Sequence, residues 1–276
     1  MSDEHGGDGD VLPLGELLDA EAELSIFRPP WPFLSELIET CDEWSEEETL
    51  PTMTVVSDHG PLSLLRREFM LAGRAANLID ADTLTLRERG DGDSEDNEDT
   101  PWIVGESLYV PVVIDGEVYV ERVADESLRA DAGAAFERSL ADAELFPLRT
   151  PPLKRVVTTV EDRFGPKMHE DMAETLRVAD GLRDATEFDA VTATLIVAAH
   201  NNLLHYEVGK WIEDVGIASR ATVSRRKNAL EESEVIDTEA VQEGFGRPRQ
   251  RLVLQDAYAD AAARRGIGEV VTHVVA

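Results

Sequence analysis

Apolar positions in the first half of the chain fall into short runs divided by turn residues, and the runs alternate between two periods. Leu12, Leu14, Leu17, Leu18 and Leu24 sit at helical spacing and predict a short amphipathic helix over 12–24. The proline-rich stretch Phe27-Arg28-Pro29-Pro30-Trp31-Pro32-Phe33 reads as a connector, and Leu34 to Trp44 as a further helix. Thr52 to Val56 is a buried-strand pattern that ends at Ser57-Asp58-His59-Gly60. Pro61 fits the first turn of a helix, where no amide hydrogen is needed. That helix is predicted to run to about Ile79, with Leu64, Leu65, Phe69, Ala72 and Ala76 on one side. Leu84 and Leu86 mark another strand, and the acidic stretch 90–100 a disordered loop. Three strands follow at Trp102 to Val104, Leu108 to Ile114 and Glu117 to Val123. Asp115-Gly116 between the last two is a hairpin signal, because a two-residue turn of this kind needs positive φ at both positions. An alanine-rich helix is expected from Ser127 to Leu145, and Thr150-Pro151-Pro152 closes the segment.

This pattern predicts an α/β domain over 11–149 after a disordered tail at 1–10. Residues 150–186 read as a helical linker broken at Gly165-Pro166.

From 187 to 256 the order changes to helix, helix, turn, helix, strand, wing, strand. Asp189 to Leu203 forms the first helix, with Val191, Leu195, Ile196 and Ala199 inward, and Glu207 to Val215 the second, with Val208, Trp211 and Ile212 inward. Gly216-Ile217-Ala218 supplies the corner, where glycine tolerates a left-handed backbone. Ser219 is placed to cap a third helix that reaches about Glu234 and buries Val223 and Leu230. Arg220, Thr222, Ser224 and Arg225 fall at its exposed N-terminal end, with Arg226 beside them. A DNA-reading helix presents that end to base edges, and an arginine there can pair with guanine. Val235-Ile236 opens the wing, Gly244 to Arg249 forms its loop, and Arg247, Arg249 and Arg251 are placed to reach the sugar–phosphate backbone or the minor groove. Residues 257–276 are left as a tail that supplies part of a dimer interface.

Charge sharpens this reading. The 276 residues carry 57 acids and 26 bases, for a net charge of −31. Lysine occurs only at Lys154, Lys167, Lys210 and Lys227, so the bases are mostly arginine. Acid excess with so little lysine points to an extreme halophile, and 42% apolar content excludes a wholly disordered chain. At about 1 M salt the Debye length is about 3 Å, so distant carboxylates hardly repel a phosphate. Yet 219–228 and 244–251 contain bases and no acid, at the two places a winged helix offers DNA. The blander readings are a solvated arginine face and a winged helix that binds protein.

Ser219-Arg220-Ala221-Thr222-Val223-Ser224-Arg225 resembles the recognition helix of bacterial and archaeal winged-helix regulators. Lys227 stands where that pattern is commonly apolar, so its stem is expected to lie along the core with the ammonium snorkelling out. The α/β half followed by a terminal winged helix is similar to haloarchaeal transcription regulators of the TbsP type. The resemblance implies control of metabolic genes, with the first domain sensing a ligand, pairing subunits or contacting a second regulator. The strand–helix order of 52–146 also resembles half of a phospholipase-D-like domain. An active member needs a histidine followed two residues later by lysine, and no histidine here is so placed. No phosphate loop, dinucleotide fingerprint, zinc motif or nucleophile elbow is present, and Cys41 is alone. The expectation is a cytoplasmic, non-enzymatic homodimer that binds duplex DNA without cofactor, metal or membrane, and His59 is the candidate for a ligand pocket. The alternatives are a protein-interaction module and a ligand-sensing partner of another regulator.

Overall fold

The computed structural model describes residues 11–43, 49–90, 100–180, 189–242 and 248–275. The expectations for 1–10, Trp44, 91–99, 181–188 and the wing-loop residues 244–247, Arg247 among them, lie outside the described residues. The chain divides into two compact units, one of residues 1–67 and 74–148, the other of 68–73 and 149–276.

In the first unit β1 (Val11–Pro13) and α1 (Leu14–Ala20) precede β2 (Glu23–Phe27) and α2 (Trp31–Glu43). Then come β3 (Thr52–Ser57), α3 (His59–Arg67), α4 (Phe69–Asp80), β4 (Leu84–Glu88), β5 (Trp102–Val104), β6 (Leu108–Ile114), β7 (Glu117–Val123), α5 (Glu126–Asp142) and β8 (Glu144–Leu145). Among the described residues these strands form one eight-stranded sheet, in the order β1-β7-β6-β5-β2-β3-β4-β8. β2, β3 and β4 run parallel, joined by helices as parallel neighbours must be, and the rest pair antiparallel. Leu24, Ile26, Met53, Val55, Leu86 and Ile103 are buried in its core. Phe27, Val56, Phe136 and Ala143 form a further cluster, which seats α5, and Trp102 stacks on Phe27 at 4.0 Å. Asp115 (φ 52°) and Gly116 (φ 91°) turn the β6–β7 hairpin as expected.

Several sequence expectations are corrected here. The helix expected over 12–24 is a strand, a short helix and the start of β2, because β1 pairs with β7 and β2 with β3 and β5. The proline-rich connector therefore opens inside a central strand. The helix expected from Pro61 starts at His59 and is interrupted at Glu68, and the one expected to reach Leu145 ends at Asp142. Glu144 and Leu145 instead pair with β4.

The second unit holds α6 (Leu153–Phe164), α7 (Pro166–Asp180), α8 (Ala190–His200), α9 (His205–Val215), α10 (Arg220–Glu232), β9 (Ile236–Val241), β10 (Arg249–Leu254), α11 (Asp256–Arg265) and α12 (Ile267–Val275). α8 is apolar on nearly every face, which suits a helix surrounded by others, and Val191 to Ala199 are all buried except Thr192. α6 and α7, expected as a linker, send Val156, Val160, Met168 and Met172 into the same core as α8 and α9. Trp211 of α9 donates its indole N–H to Thr159 Oγ1 of α6 at 3.1 Å. The segment expected as a C-terminal tail is likewise built in. Ile267, Val270 and Val271 are buried, and Gly268 N donates to Glu174 of α7. Those valines are spent inside this unit and are not an outward face.

Candidate nucleic-acid interface

The three helices and the hairpin are held by a chain of local devices. Asp189 caps α8, accepting from the amides of Val191 and Thr192. Leu203 O then accepts from Leu252 N at 2.8 Å, and Leu204 bridges antiparallel to Arg251. The returning wing strand β10 is thereby fastened to the entry of α9. α9 ends at Gly216 (φ 93°), and the corner is closed by Ile217 N donating to Ile212 O at 3.0 Å. Ser219 Oγ then accepts from Thr222 N at 3.3 Å, starting α10.

α10 packs on α9 through Val223. A methyl group on Gly209 would lie 3.7 Å from Val223 Cγ1, at ordinary van der Waals contact, so Val223 faces Gly209 across the two helices. Leu230 is buried on the same side. Lys227 behaves as its stem predicts. It is buried, and its ammonium reaches Glu231 Oε2 at 2.7 Å. It turns to its own helix and is not part of the outer face.

That outer face carries Arg220, Ser224, Arg225 and Arg226, all exposed, with Thr222 half-buried. Arg225 Nη2 donates to Thr222 Oγ1 at 3.2 Å. Arg220 Nε donates to Glu213 Oε2 of α9 at 2.6 Å, and its guanidinium lies 5.5 Å from the ring centre of Tyr206. The hydrogen bond and charge of Glu213 raise the Arg220 pKa above its ordinary value. Arg226 Nε meets Asp189 Oδ2 at 2.8 Å. From the wing, Arg249 lies 3.8 Å from Glu207, which also pairs with Arg163 of α6, and Arg251 is half-buried.

The first turn of α9 thus touches both basic groups. Tyr206 meets Arg220 of the third helix, and its neighbour Glu207 meets Arg249 of the hairpin. Sequence reasoning placed the two arginine groups but missed Tyr206, Glu207, Glu213 and Asp189 as their partners. α9 was expected to begin one residue after Tyr206, and Glu213 lies across the corner from Arg220, so spacing gave no signal for either.

The matches to known families follow this architecture. Residues 12–151 match the family described as transcriptional regulator TbsP-like, N-terminal, and residues 152–272 match the TbsP-like C-terminal HTH domain. The chain belongs to the TbsP-like transcriptional regulators. The junction of the two matched regions, 151/152, falls within a few residues of the structural division at Leu148 and Arg149. Among solved structures this TbsP-like chain is similar to TrmBL2, described as an archaeal chromatin protein with a novel mode of DNA binding. The likeness has a TM-score of 0.32 at 13% identity and covers 52% of this chain and 57% of that one, a little over half its length. No protein of curated function matches the TbsP-like chain.

Elsewhere, His59 of the first unit is exposed and sits 2.6 Å from Glu88 Oε1. A cavity of about 410 Å³ in that unit is lined by Glu21, Gly105, Arg129, Phe136 and Glu137 among others, and His59 is not in its wall. Among the described residues no cluster fit to hold a metal ion occurs, and no helix is long and apolar enough to cross a membrane.

Proposed function

We propose that this TbsP-like regulator binds duplex DNA in a sequence-specific way, with the N-terminal half of α10 in the major groove. Arg220, Ser224 and Arg225 face base edges and Ser219, Thr222 and Arg226 the adjoining phosphates. Arg247, Arg249 and Arg251 of the wing meet backbone or the minor groove beside them. The observation that carries this reading is the first turn of α9, which is in contact with Arg220 on one side and Arg249 on the other. Bases from two separate stretches of sequence are therefore neighbours around one turn of helix.

The wider setting is also part of the proposal. The protein acts as a homodimer on two half-sites in a halophilic archaeon, controls metabolic genes, and uses its α/β unit to sense an effector or to pair subunits. Its acidic, lysine-poor composition supports the salt-adapted setting.

The test is a binding titration with a duplex selected by the protein from a random pool. Arg220→Ala with Arg225→Ala should abolish binding to that duplex without lowering the melting temperature. Arg247→Ala with Arg249→Ala should weaken binding to all duplexes alike. Unchanged binding in the first variant would remove α10 from the interface.

A further inference from the structure

We infer that Glu213 and Tyr206 are positioning residues that hold Arg220 ready to read a base and at the same time weaken attraction to DNA in general. The inference rests on the proposed placement of α10 in the groove.

Glu213 takes the inner nitrogen of Arg220, Nε, at 2.6 Å. The two terminal nitrogens are therefore not spent on the carboxylate, and the Tyr206 side chain engages the guanidinium beside them. Tyr206, an exposed aromatic residue, closes off a second side of the same group at 5.5 Å. Both come from α9, whose own position is fixed by Val208, Trp211 and Ile212 in the core. A guanidinium held on two sides by a rigid helix has less orientational freedom to give up on binding, and its hydrogen-bonding direction is set in advance.

The same use of an arginine recurs one turn and a half further along. Arg226 gives its Nε to Asp189 at 2.8 Å, so its terminal nitrogens are likewise not spent on the carboxylate. Exposed ion pairs in general contribute little to stability. Two arginines of one helix, each anchored through Nε to a carboxylate from outside that helix, point to orientation as the purpose.

The carboxylate has a second effect. It offsets the charge of Arg220 at contact range, where salt screens it less than it screens more distant charges. A phosphate approaching anywhere along a duplex meets a nearly neutral pair. A guanine edge still finds guanidinium N–H groups that the carboxylate does not take. Glu213 therefore lowers affinity for arbitrary DNA more than for the right site, and specificity is the difference between the two.

The experiment compares Glu213→Ala, Glu213→Gln and Tyr206→Ala with the parent protein. Each is titrated over a salt series against the selected duplex and against poly(dI-dC), with thermal unfolding measured alongside. For Glu213→Ala the ratio of specific to non-specific affinity should fall about tenfold, the scale of one well-made arginine–guanine contact. Its affinity for poly(dI-dC) should hold or rise. Glu213→Gln keeps an acceptor for Nε, so it should restore most of the ratio while binding poly(dI-dC) more tightly than the parent. Tyr206→Ala should lower the ratio without steepening the salt dependence. Equal gains on both duplexes in Glu213→Ala and Glu213→Gln would mean that the carboxylate only repels DNA, and would overturn the inference. So would two unchanged ratios, or a uniform loss with a lowered melting temperature. Failure of the parent itself to prefer any duplex would instead overturn the DNA-binding reading beneath it.

Discussion

Replacing Lys227 separates packing from pairing in the core of the second unit. The side chain is only 9% exposed, and its ammonium meets Glu231 Oε2 at 2.7 Å. Glu231 is 28% exposed and also accepts from Thr238 Oγ1 at 3.0 Å, so it keeps solvent and one partner if the cation is lost. Lys227→Ala removes three buried methylenes at about 0.8 kcal/mol each, or about 2 kcal/mol. The space left behind and the loss of the pair bring the expected cost to about 2–3 kcal/mol. Lys227→Met keeps the stem and removes a cation that is costly to bury, so it should fall within about 1 kcal/mol of the parent. Urea unfolding followed by circular dichroism and tryptophan fluorescence measures both, since Trp211 lies in the same core. Neither variant should change discrimination between duplexes, because the ammonium is turned to Glu231. If Lys227→Met lost as much stability as Lys227→Ala, the ion pair and not the stem would be holding α10. If it weakened DNA binding selectively, Lys227 would be a contact after all.

Four other expectations come from the same geometry. Gly105→Ala would drive a methyl group into the Glu21 carboxylate, which is buried and held by Tyr109 Oη and Glu106 N, and should cost about 3 kcal/mol or more in urea unfolding. Gly133→Ala, on α5 with nothing near its Cβ, should instead gain up to about 1 kcal/mol, and a loss there would show that the open space is needed. Burial, then the charge of Asp42, pushes the Cys41 thiol up to about 12, so iodoacetamide at about pH 8 should label only the unfolded chain, and rapid native labelling would contradict the burial. Burial first, then Lys227, lowers the His205 pKa, so its contribution to stability is fully present above about pH 6.5 and is lost as pH falls through the lowered folded value; His205→Gln should lose less stability than the parent between about pH 7.5 and pH 5.5, and equal losses would clear His205 of that role.

How much of this was legible in the sequence depended on how local the signal was. Gly216, Ser219 and Val223 are set by their own neighbours, and so is the Asp115-Gly116 turn. Each was placed correctly because backbone conformation and capping act within a few residues. β2 was hidden because its alternation, Leu24 and Ile26, is short and runs straight into Pro29 and Pro30. What makes it a strand is pairing with β3 and β5, residues distant in sequence. β8 is two residues long, and Leu145 is a strand residue only because Arg87 lies opposite. The interruption at Glu68 has a similar origin. Leu65 before it is fully buried, while Met70 just after it joins the core of the second unit. A single helical periodicity across 61–79 cannot register a change of partner.

Charge along the chain is subject to the same limit in a sharper form. Residues 219–228 hold bases and no acid along the chain, yet in space Arg220 meets Glu213, Arg226 meets Asp189 and Lys227 meets Glu231. A count of arginines therefore overstates the positive charge that a phosphate would find on this face. High salt recovers only part of it, because these carboxylates lie at contact distance, within a Debye length of about 3 Å, where screening is incomplete. On α10, Arg225 differs from its neighbours in that its hydrogen-bond partner is the neutral hydroxyl of Thr222. On the proposed reading the two exposed arginines of the first turns then divide the work. Arg225, whose hydrogen-bond partner is neutral, adds affinity for any duplex to the base edge it faces, while Arg220, offset and oriented, contributes mainly the choice among duplexes. On that reading a chain of net charge −31 can present a face to DNA, the acids nearest it directing the arginines as well as neutralising them.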